Sequence, residues 1–290
     1  MSIQFGNLHV DEKYSRIIVP NLYRKTWIMP GITCQDVSSD NAGGVYFHKL
    51  GAAGVTVKAP GNDFADTAVS DTLVEAVFNN SIQASQKIYN VQAASVEMPI
   101  AEEELSLAIN SAAVKKNDLG AACLIHEGTT SSTKTAITES NIVKLFLAER
   151  KELVKAGATP DTILCSPDVF ACMLEAAGAK YLPETNEKVL AAAEGGMVGN
   201  YMGCRWIECP SLAETSIDYY DYSSTKQTVA PATLGVEFIM FDHNFLGIGD
   251  KVTANRIVDS ENFAGCKAQF EDNVAFRVLN ADAVRVKVNA

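Results

Sequence analysis

The sequence predicts an α+β fold, and three stretches predict it. Met98–Glu127 carries apolar and small residues at helical spacing over seven or so turns. TPDTILCSP (Thr159–Pro167) reads as a buried strand, DVFACMLEAAG (Asp168–Gly178) as a short helix stopped by glycine, and VGNYMGCRWIECPSL (Val198–Leu212) as a Gly-bearing turn feeding another strand. Lys251–Val288 closes the chain in alternating strands. Helices and strands are thus segregated along the chain rather than strictly alternating.

Taken in order, residues 1–42 form an arm interrupted by Pro20 and Pro30, with apolar anchors Tyr23, Trp27 and Ile28 but no sustained period. It either packs on the body as a loop or reaches a neighbouring chain. Residues 43–96 read as a long, mostly exposed β-hairpin, with VYFHKL and VTVK as extended pieces and Thr72–Ile88 as the return strand. Gly51, Gly54, Pro60 and Gly61 punctuate it. So few large apolar residues near its tip cannot bury a hairpin of this length, which calls for a partner surface from another chain.

In the main helix, Pro99 suits the first turn and Glu102, Glu103 and Glu104 complement the positive end of the dipole. Leu105, Ile109, Ala112 and Ala113 recur at helical spacing, and a helix of ~25 residues spans about 37 Å. Gly120 is a place for a bend or an early end. Gly128–Thr138 is a polar linker, with Thr138 as cap for a second helix, Glu139–Ala156, whose Ile142, Leu145, Phe146 and Leu153 make an apolar stripe. Gly157 and Pro160 end it. Tyr181–Gly196 reads as a loop or short helix, and Asp218–Pro231 as a polar, Tyr-rich excursion between strands. VEFIMF (Val236–Phe241) is a buried run; Val274, Phe276 and Val278 alternate, and Asn280-Ala281-Asp282 turns the chain into Val284, Val286 and Val288 as a final strand pair.

Composition bounds the class. At 290 residues, 47% hydrophobic and 20% charged, the chain is expected to fold over most of its length. No run approaches the ~18 apolar residues of a membrane span, and the first residues show no secretion leader. A net charge of −11 argues against tight, sequence-independent grip on phosphate. It is compatible with a container that encloses DNA without holding it. The seven cysteines, at 34, 123, 165, 172, 204, 209 and 266, include no C-x-x-C pair. Cys204 and Cys209 are five apart on a predicted strand, so they point to opposite faces and cannot share a metal. Structural thiols made in a reducing cytoplasm fit these spacings.

Chemical motifs are lacking. His9, His48, His126 and His243 form no close pair, and Asp242-His243 reads as a strand-end feature. There is no G-x-S-x-G elbow; Ser166, before Pro167, is a helix-start residue. Gly247-x-Gly249 lacks the third glycine of a dinucleotide site, and Gly195, Gly196, Gly199 and Gly203 precede no G-K-S/T. The Glu102–Glu104 run cannot converge on one ion, because successive helical residues diverge by about 100°. The sequence therefore calls for no enzyme activity, no catalytic residue, no cofactor and no metal.

The order of these blocks resembles the major capsid proteins of tailed bacteriophages, with the Hong Kong 97-type fold. DSENF (Asp259–Phe263) and the strands after it are the strongest local match. The resemblance implies an N-terminal arm (1–42), an extension loop (43–96), a spine helix with a peripheral-domain helix (97–159), an apical domain (160–269) and terminal strands returning to the peripheral domain (270–290). It implies self-assembly through hexamers and pentamers into an icosahedral virion shell around double-stranded DNA, bound without sequence specificity. A portal belongs to such an assembly, and the lack of a charged, helix-rich leader before the arm implies a separate scaffolding protein. Synthesis falls in the host cytoplasm, with no membrane partner. Candidate inter-subunit contacts are Tyr23, Trp27, Tyr46, Lys49, Lys58 and Phe64. Some members join an extension-loop lysine to a neighbour's asparagine; Lys49 and Lys58 are the lysines in the loop here, with solvated side chains as the default. An encapsulin-type compartment shares the fold, and a cytosolic α+β enzyme with a dispersed site is the rival of another class.

Overall fold

The computed structural model describes residues 3–5, 8–10, 35–36, 44–50, 68, 71–90, 100–177, 197–201 and 203–289. The tip of the expected hairpin, the stretch 181–196, and Tyr23, Trp27, Lys58, Phe64 and Pro99 lie outside these residues. Within the arm, β1 (Ile3–Phe5) and β2 (Leu8–Val10) pair antiparallel, and β3 is Gln35–Asp36. β4 (Gly44–Leu50) pairs antiparallel with β5 (Asp71–Val77), the base of the expected hairpin.

The return strand is not continuous to Ile88. It breaks at Phe78–Asn79, and β6 (Asn80–Tyr89) joins a different sheet. Asn80 makes the break: its carboxamide donates to the Tyr220 carbonyl at 2.8 Å and accepts the Tyr220 N–H at 2.8 Å. A buried residue tied to another element in this way fixes where the strand changes partner.

Helix α1 spans Ile100–Glu127 without interruption at Gly120. Its first half buries one face, Leu105, Ala108 and Ala112, against Ile82, Ala84 and Phe270. Ile109, assigned to that stripe by spacing, is instead 38% exposed. From Lys116 to Ile125 nearly every side chain is buried, so this half runs through the interior. Short β7 (Thr129–Thr130) follows, and the linker to Thr138 is held to the body rather than free. Ser131 hydrogen-bonds Glu149 at 2.5 Å, Ile137 N–H reaches Glu237 at 2.8 Å, and the Lys287 ammonium reaches the Thr133 carbonyl.

Helix α2 begins at Ile142 and ends at Lys155. Thr138 is not its cap: its carbonyl accepts from the N–H groups of Asn141 and Ile142, and Asn141 stands at the cap position. The turn before the helix is closed by Asn141 itself, whose Oδ1 accepts the Thr138 N–H at 2.8 Å. β8 (Thr162–Cys165) and α3 (Pro167–Ala177) match the predicted strand–helix unit. Ser166 Oγ accepts the Val169 N–H, as a helix-start residue does. β9 (Met197–Tyr201) turns through Gly203, at φ 80°, into β10 (Cys204–Glu208). The left-handed conformation at that position is cheap only for glycine. The Tyr-rich excursion is a hairpin, β11 (Ile217–Tyr220) with β12 (Lys226–Val229). Asp221 organises its turn by accepting from the N–H groups of Ser223 and Thr225.

β13 (Val236–Phe241), β14 (Leu246–Asp259), β15 (Gly265–Val278) and β16 (Val284–Val288) complete the fold. The mixed six-stranded sheet runs β7-β16-β13-β8-β10-β9. One face carries Leu164, Ile207, Ile239, Val284 and Val286 against the second half of α1; the other carries Ile163, Trp206, Phe238 and Met240 against α2 and α3. Both faces are covered, which is why TILC and VEFIMF read as mostly apolar runs, with Thr162 and Glu237 as buried polar exceptions. Cys204 sits in one layer and Cys209 in the other, as their odd spacing requires.

The second sheet runs β3-β14-β15-β6 and is dominated by the β14–β15 hairpin. The expected final strand pair does not form. β15 pairs with β14 and β6, whereas β16 pairs with β13 and β7. The turn at Asn280, whose Oδ1 accepts the Asp282 N–H, carries the chain from one sheet to the other. The linear division at residue 270 is therefore not a division between sheets: it falls within β15, whose partner β14 lies before it, and β16 lies inside the sheet built on β8.

The β4–β5 hairpin is seated on the second sheet through Val45, Phe47 and Ala76 against Ala275. Gly247 and Gly249 make this seat possible, because a Cβ at 247 falls 2.7 Å from the Phe47 ring and one at 249 falls 2.9 Å from Val45. Gly247→Ala is expected to lower stability by about 1–3 kcal/mol through overpacking. Phe47→Leu in the same chain should recover part of the loss. Urea titrations of both variants check this.

Candidate functional site

One group of His, Cys, Asp or Glu side chains brings three ligating atoms together among the described residues. Asp161, Asp242 and His243 bring their ligating atoms within 4.8 Å of one another. Asp242-His243 is visible as neighbours in the sequence, whereas Asp161 joins them only through the pairing of β8 with β13. Their atoms are committed to the backbone. Asp242 accepts the N–H groups of Thr159 (2.9 Å) and Asn244 (3.1 Å). Asp161 accepts the Thr162 hydroxyl at 2.8 Å, the His243 N–H at 3.2 Å, and meets the His243 imidazole. The group latches the entrance of β8 to the exit of β13, the strand-end role expected of it.

The described cysteines are free thiols. Burial pushes Cys204 up to about 11 and Cys209 up to about 12, so both stay protonated and unreactive.

The dominant charged constellation joins α1 to the long hairpin. Lys116 is 11% exposed and meets Asp250 at 2.5 Å and Asp272 at 2.8 Å. Burial alone would favour a neutral amine, but the two carboxylates hold the Lys116 ammonium above its usual range. Burial, reinforced by contact with the Asp250 carboxyl, pushes Asp272 up to about 6. Burial works against ionisation of Asp250 too, yet hydrogen bonds from Asp272 and Lys116 keep it below the ordinary carboxylate range. One end of α1 is fixed as well. Glu127 accepts from Arg277 Nη1 and from the Val278 N–H, each at 2.8 Å, and the Arg277 guanidinium stacks 3.6 Å from the Tyr222 ring centroid.

Of the candidate inter-subunit residues, two fall among the described ones. Lys49 donates to the Leu279 carbonyl at 3.4 Å, which ties it to its own chain, and Tyr46 lies opposite Glu75 in the hairpin. Leu73, in the same hairpin, is 58% exposed. Further exposed apolar residues, Val252, Ile257 and Val258, follow one another along β14. β14 has a partner on its outer side at Gly247 and Ile248, where β3 pairs in parallel. Beyond them that edge meets no strand among the described residues.

Solved structures share this fold over the whole chain. A structure from Mycobacterium phage Che8 aligns with a TM-score of 0.63 at 15% identity, covering 98% of each chain. The capsid of cyanophage P-SCSP1u aligns at 0.65 and 13%, covering 96% of this chain and 92% of that one. The mature capsid of bacteriophage PhiM1 aligns at 0.63 and 11%, covering 98% and 92%. The chain has the α+β fold of phage capsid structures, as its order of elements suggested. No family model matches it, and no curated protein matches it in sequence.

The charged joint makes a pH dependence. Asp272 has a folded-state value near 6, above its ordinary 3.8, so its contribution is fully present below about pH 4 and is lost as pH rises through 6. Stability should fall by on the order of 1–3 kcal/mol across that window, and Asp272→Asn should flatten the slope. Lys116→Met should cost about 3–5 kcal/mol above pH 6, where two buried carboxylates lose their counter-charge, and less near pH 5. Chemical denaturation at a series of pH values measures all three.

Proposed function

We propose that this chain is the major capsid protein of a tailed phage or prophage, whose copies assemble into the icosahedral head and enclose double-stranded DNA. The observation that carries this reading is the match to phage capsid structures over 95% or more of this chain and over 90% of each of theirs. Leu73, exposed on the β4–β5 hairpin, and the β14 edge, which meets no strand beyond Ile248 among the described residues, support it, because both present groups that a neighbouring copy satisfies. No helix among the described residues is long and apolar enough to cross a membrane.

On this reading, residues 43–96 are the extension loop and lie over the adjacent subunit. Tyr46, Lys49, Lys58 and Phe64, with Tyr23 and Trp27 of the arm, are the contacts proposed for it. Residues 160–269 gather around the axes of hexamers and pentamers. A separate scaffolding protein and a portal complete the partners, and the acidic surface keeps packaged DNA loosely held. Many modest contacts, each weak alone, close the shell.

Electron microscopy of the expressed chain, with a scaffolding partner supplied, should show closed particles of uniform size. A chain that remains a small oligomer and turns over a metabolite would overturn the reading. Nuclease-protected DNA within particles from the host separates a phage head from a protein-filled compartment. Leu73→Asp should reduce particle yield while changing the stability of the isolated chain by less than about 0.5 kcal/mol, the usual limit for exposed sites.

A further inference from the structure

Helices α2 and α3 cover one face of the six-stranded sheet, and each turns a charged face outward. α2 buries Ile142, Phe146, Glu149 and Leu153, which leaves Lys144, Leu147, Ala148, Lys151, Val154 and Lys155 exposed. Leu147 is 46% exposed and Val154 54%, and with Arg150, Lys151 and Lys155 they line a shallow depression of about 370 Å³. The ion pairs of this helix among the described residues are Lys155 with Glu152 and Arg285 with Glu149, so Lys144 and Lys151 belong to neither. A basic, partly apolar face stands out on a chain whose net charge is −11.

α3 presents the opposite sign. It buries Val169 and Met173 and exposes Asp168, Ala171 and Glu175. Glu139, exposed ahead of α2, adds a third acid: the Cys172 thiol is pushed up by burial first, and then by Glu175, Asp168 and Glu139 around it. Two of these charges oppose their own helices. Lys144 lies in the first turn of α2 and Glu175 in the last turn of α3, where the helix dipole disfavours a cation and an anion respectively. Local helix energetics therefore explain neither, and a partner of opposite sign offsets both.

The spacing on the two faces agrees. Lys144 and Lys151 are seven residues apart, as are Asp168 and Glu175, so each pair spans two turns, about 10.5 Å along its axis. The large Leu147 lies between the lysines, and the small Ala171 lies between the acids. We infer that the α2 face of one copy docks on the α3 face of a second copy, Lys144 and Lys151 meeting Asp168 and Glu175 with Leu147 seated on Ala171. The inference rests on the assembly reading and deepens it by naming one contact between copies. With opposite charges on neighbouring helices, this surface is complementary to itself. Nucleic acid is the other polyanion that a basic face attracts, but exposed Leu147 and Val154 offer phosphate nothing, and Glu152 interrupts the positive run.

The test measures the protein concentration needed for particle assembly, with a scaffolding partner supplied, for the wild-type chain and three charge-reversed variants. Lys144→Glu with Lys151→Glu reverses the α2 face, Asp168→Lys with Glu175→Lys reverses the α3 face, and a third variant carries all four changes. Each single-face variant is expected to need about tenfold more protein or worse, because like charges then oppose each other across the contact. The four-change variant is expected to return to within about threefold of wild type, a recovery that a folding defect does not produce. Denaturation curves check that each variant folds. Carbodiimide cross-linking of wild-type particles, with half of the copies isotope-labelled, should join Lys144 or Lys151 of one copy to Asp168 or Glu175 of another. Both single-face variants assembling at wild-type concentrations overturn the inference and leave the assembly reading standing, as does a four-change variant without recovery together with no such cross-link. Full assembly with loss of packaged DNA on reversal of the α2 face assigns that face to nucleic acid and overturns it as well. A wild-type chain that stays monomeric overturns both readings.

Discussion

The fold depends on how one long helix is fastened to one long hairpin. α1 reaches across both sheets, and the β14–β15 hairpin is the largest surface it meets. Apolar packing alone, of Ala108 and Ala112 on Phe270, would let the helix slide along its axis, because small side chains offer little interlocking. The Lys116 ammonium between Asp250 and Asp272 fixes the register at one point, and Glu127 with Arg277 and the Val278 N–H fixes it at another. Two ion-paired anchors about three turns of helix apart define both position and rotation. Hydrogen bonds to charged groups supply the directionality that dispersion lacks.

From that joint the rest follows in order. With α1 set on the second sheet, its buried half, Lys116 to Ile125, becomes the floor on which the six-stranded sheet is laid. The chain then crosses between the sheets through the helix itself, through the turn from Asp242 to Leu246, and through Asn280–Ala283. Neither of the two larger sheets is the product of a contiguous segment. β6 and β15 are neighbours in space and far apart in sequence, as are β8 and β16 within one sheet. Such long-range pairing gives one cooperative body from segments that a linear reading separates.

This explains what was legible and what was not. Elements that announce themselves locally were readable: TILC, VEFIMF, the helix to Glu127, the helix start at Ser166, and the opposite layers of Cys204 and Cys209 follow from period and spacing. Partners were not. Asn80 breaks a return strand through contacts with Tyr220, and Asn280 redirects a strand to another sheet; both act across distances that carry no local pattern. The latch of Asp161 with Asp242 and His243 was half visible for the same reason. Lys116 did leave a trace in the sequence. It falls four residues after Ala112 on the buried stripe that starts at Leu105 and Ala108, and a lysine in that place demands a buried counter-charge.

The two attachments on the second sheet differ in kind. The helix joint is ionic and directional, whereas the β4–β5 hairpin rests on a small apolar seat of Val45, Phe47 and Phe78 against glycines. Dispersion and burial depend weakly on orientation, so such a seat tolerates changes of angle that would break an ion pair outright. Lys49 adds a single long hydrogen bond to the Leu279 carbonyl at its margin. If copies tile a closed surface, each must meet neighbours at more than one angle, and compliance has to reside somewhere. The physics of these two contacts puts it at the hairpin's root, and holds the helix and the long hairpin together as the part that does not bend.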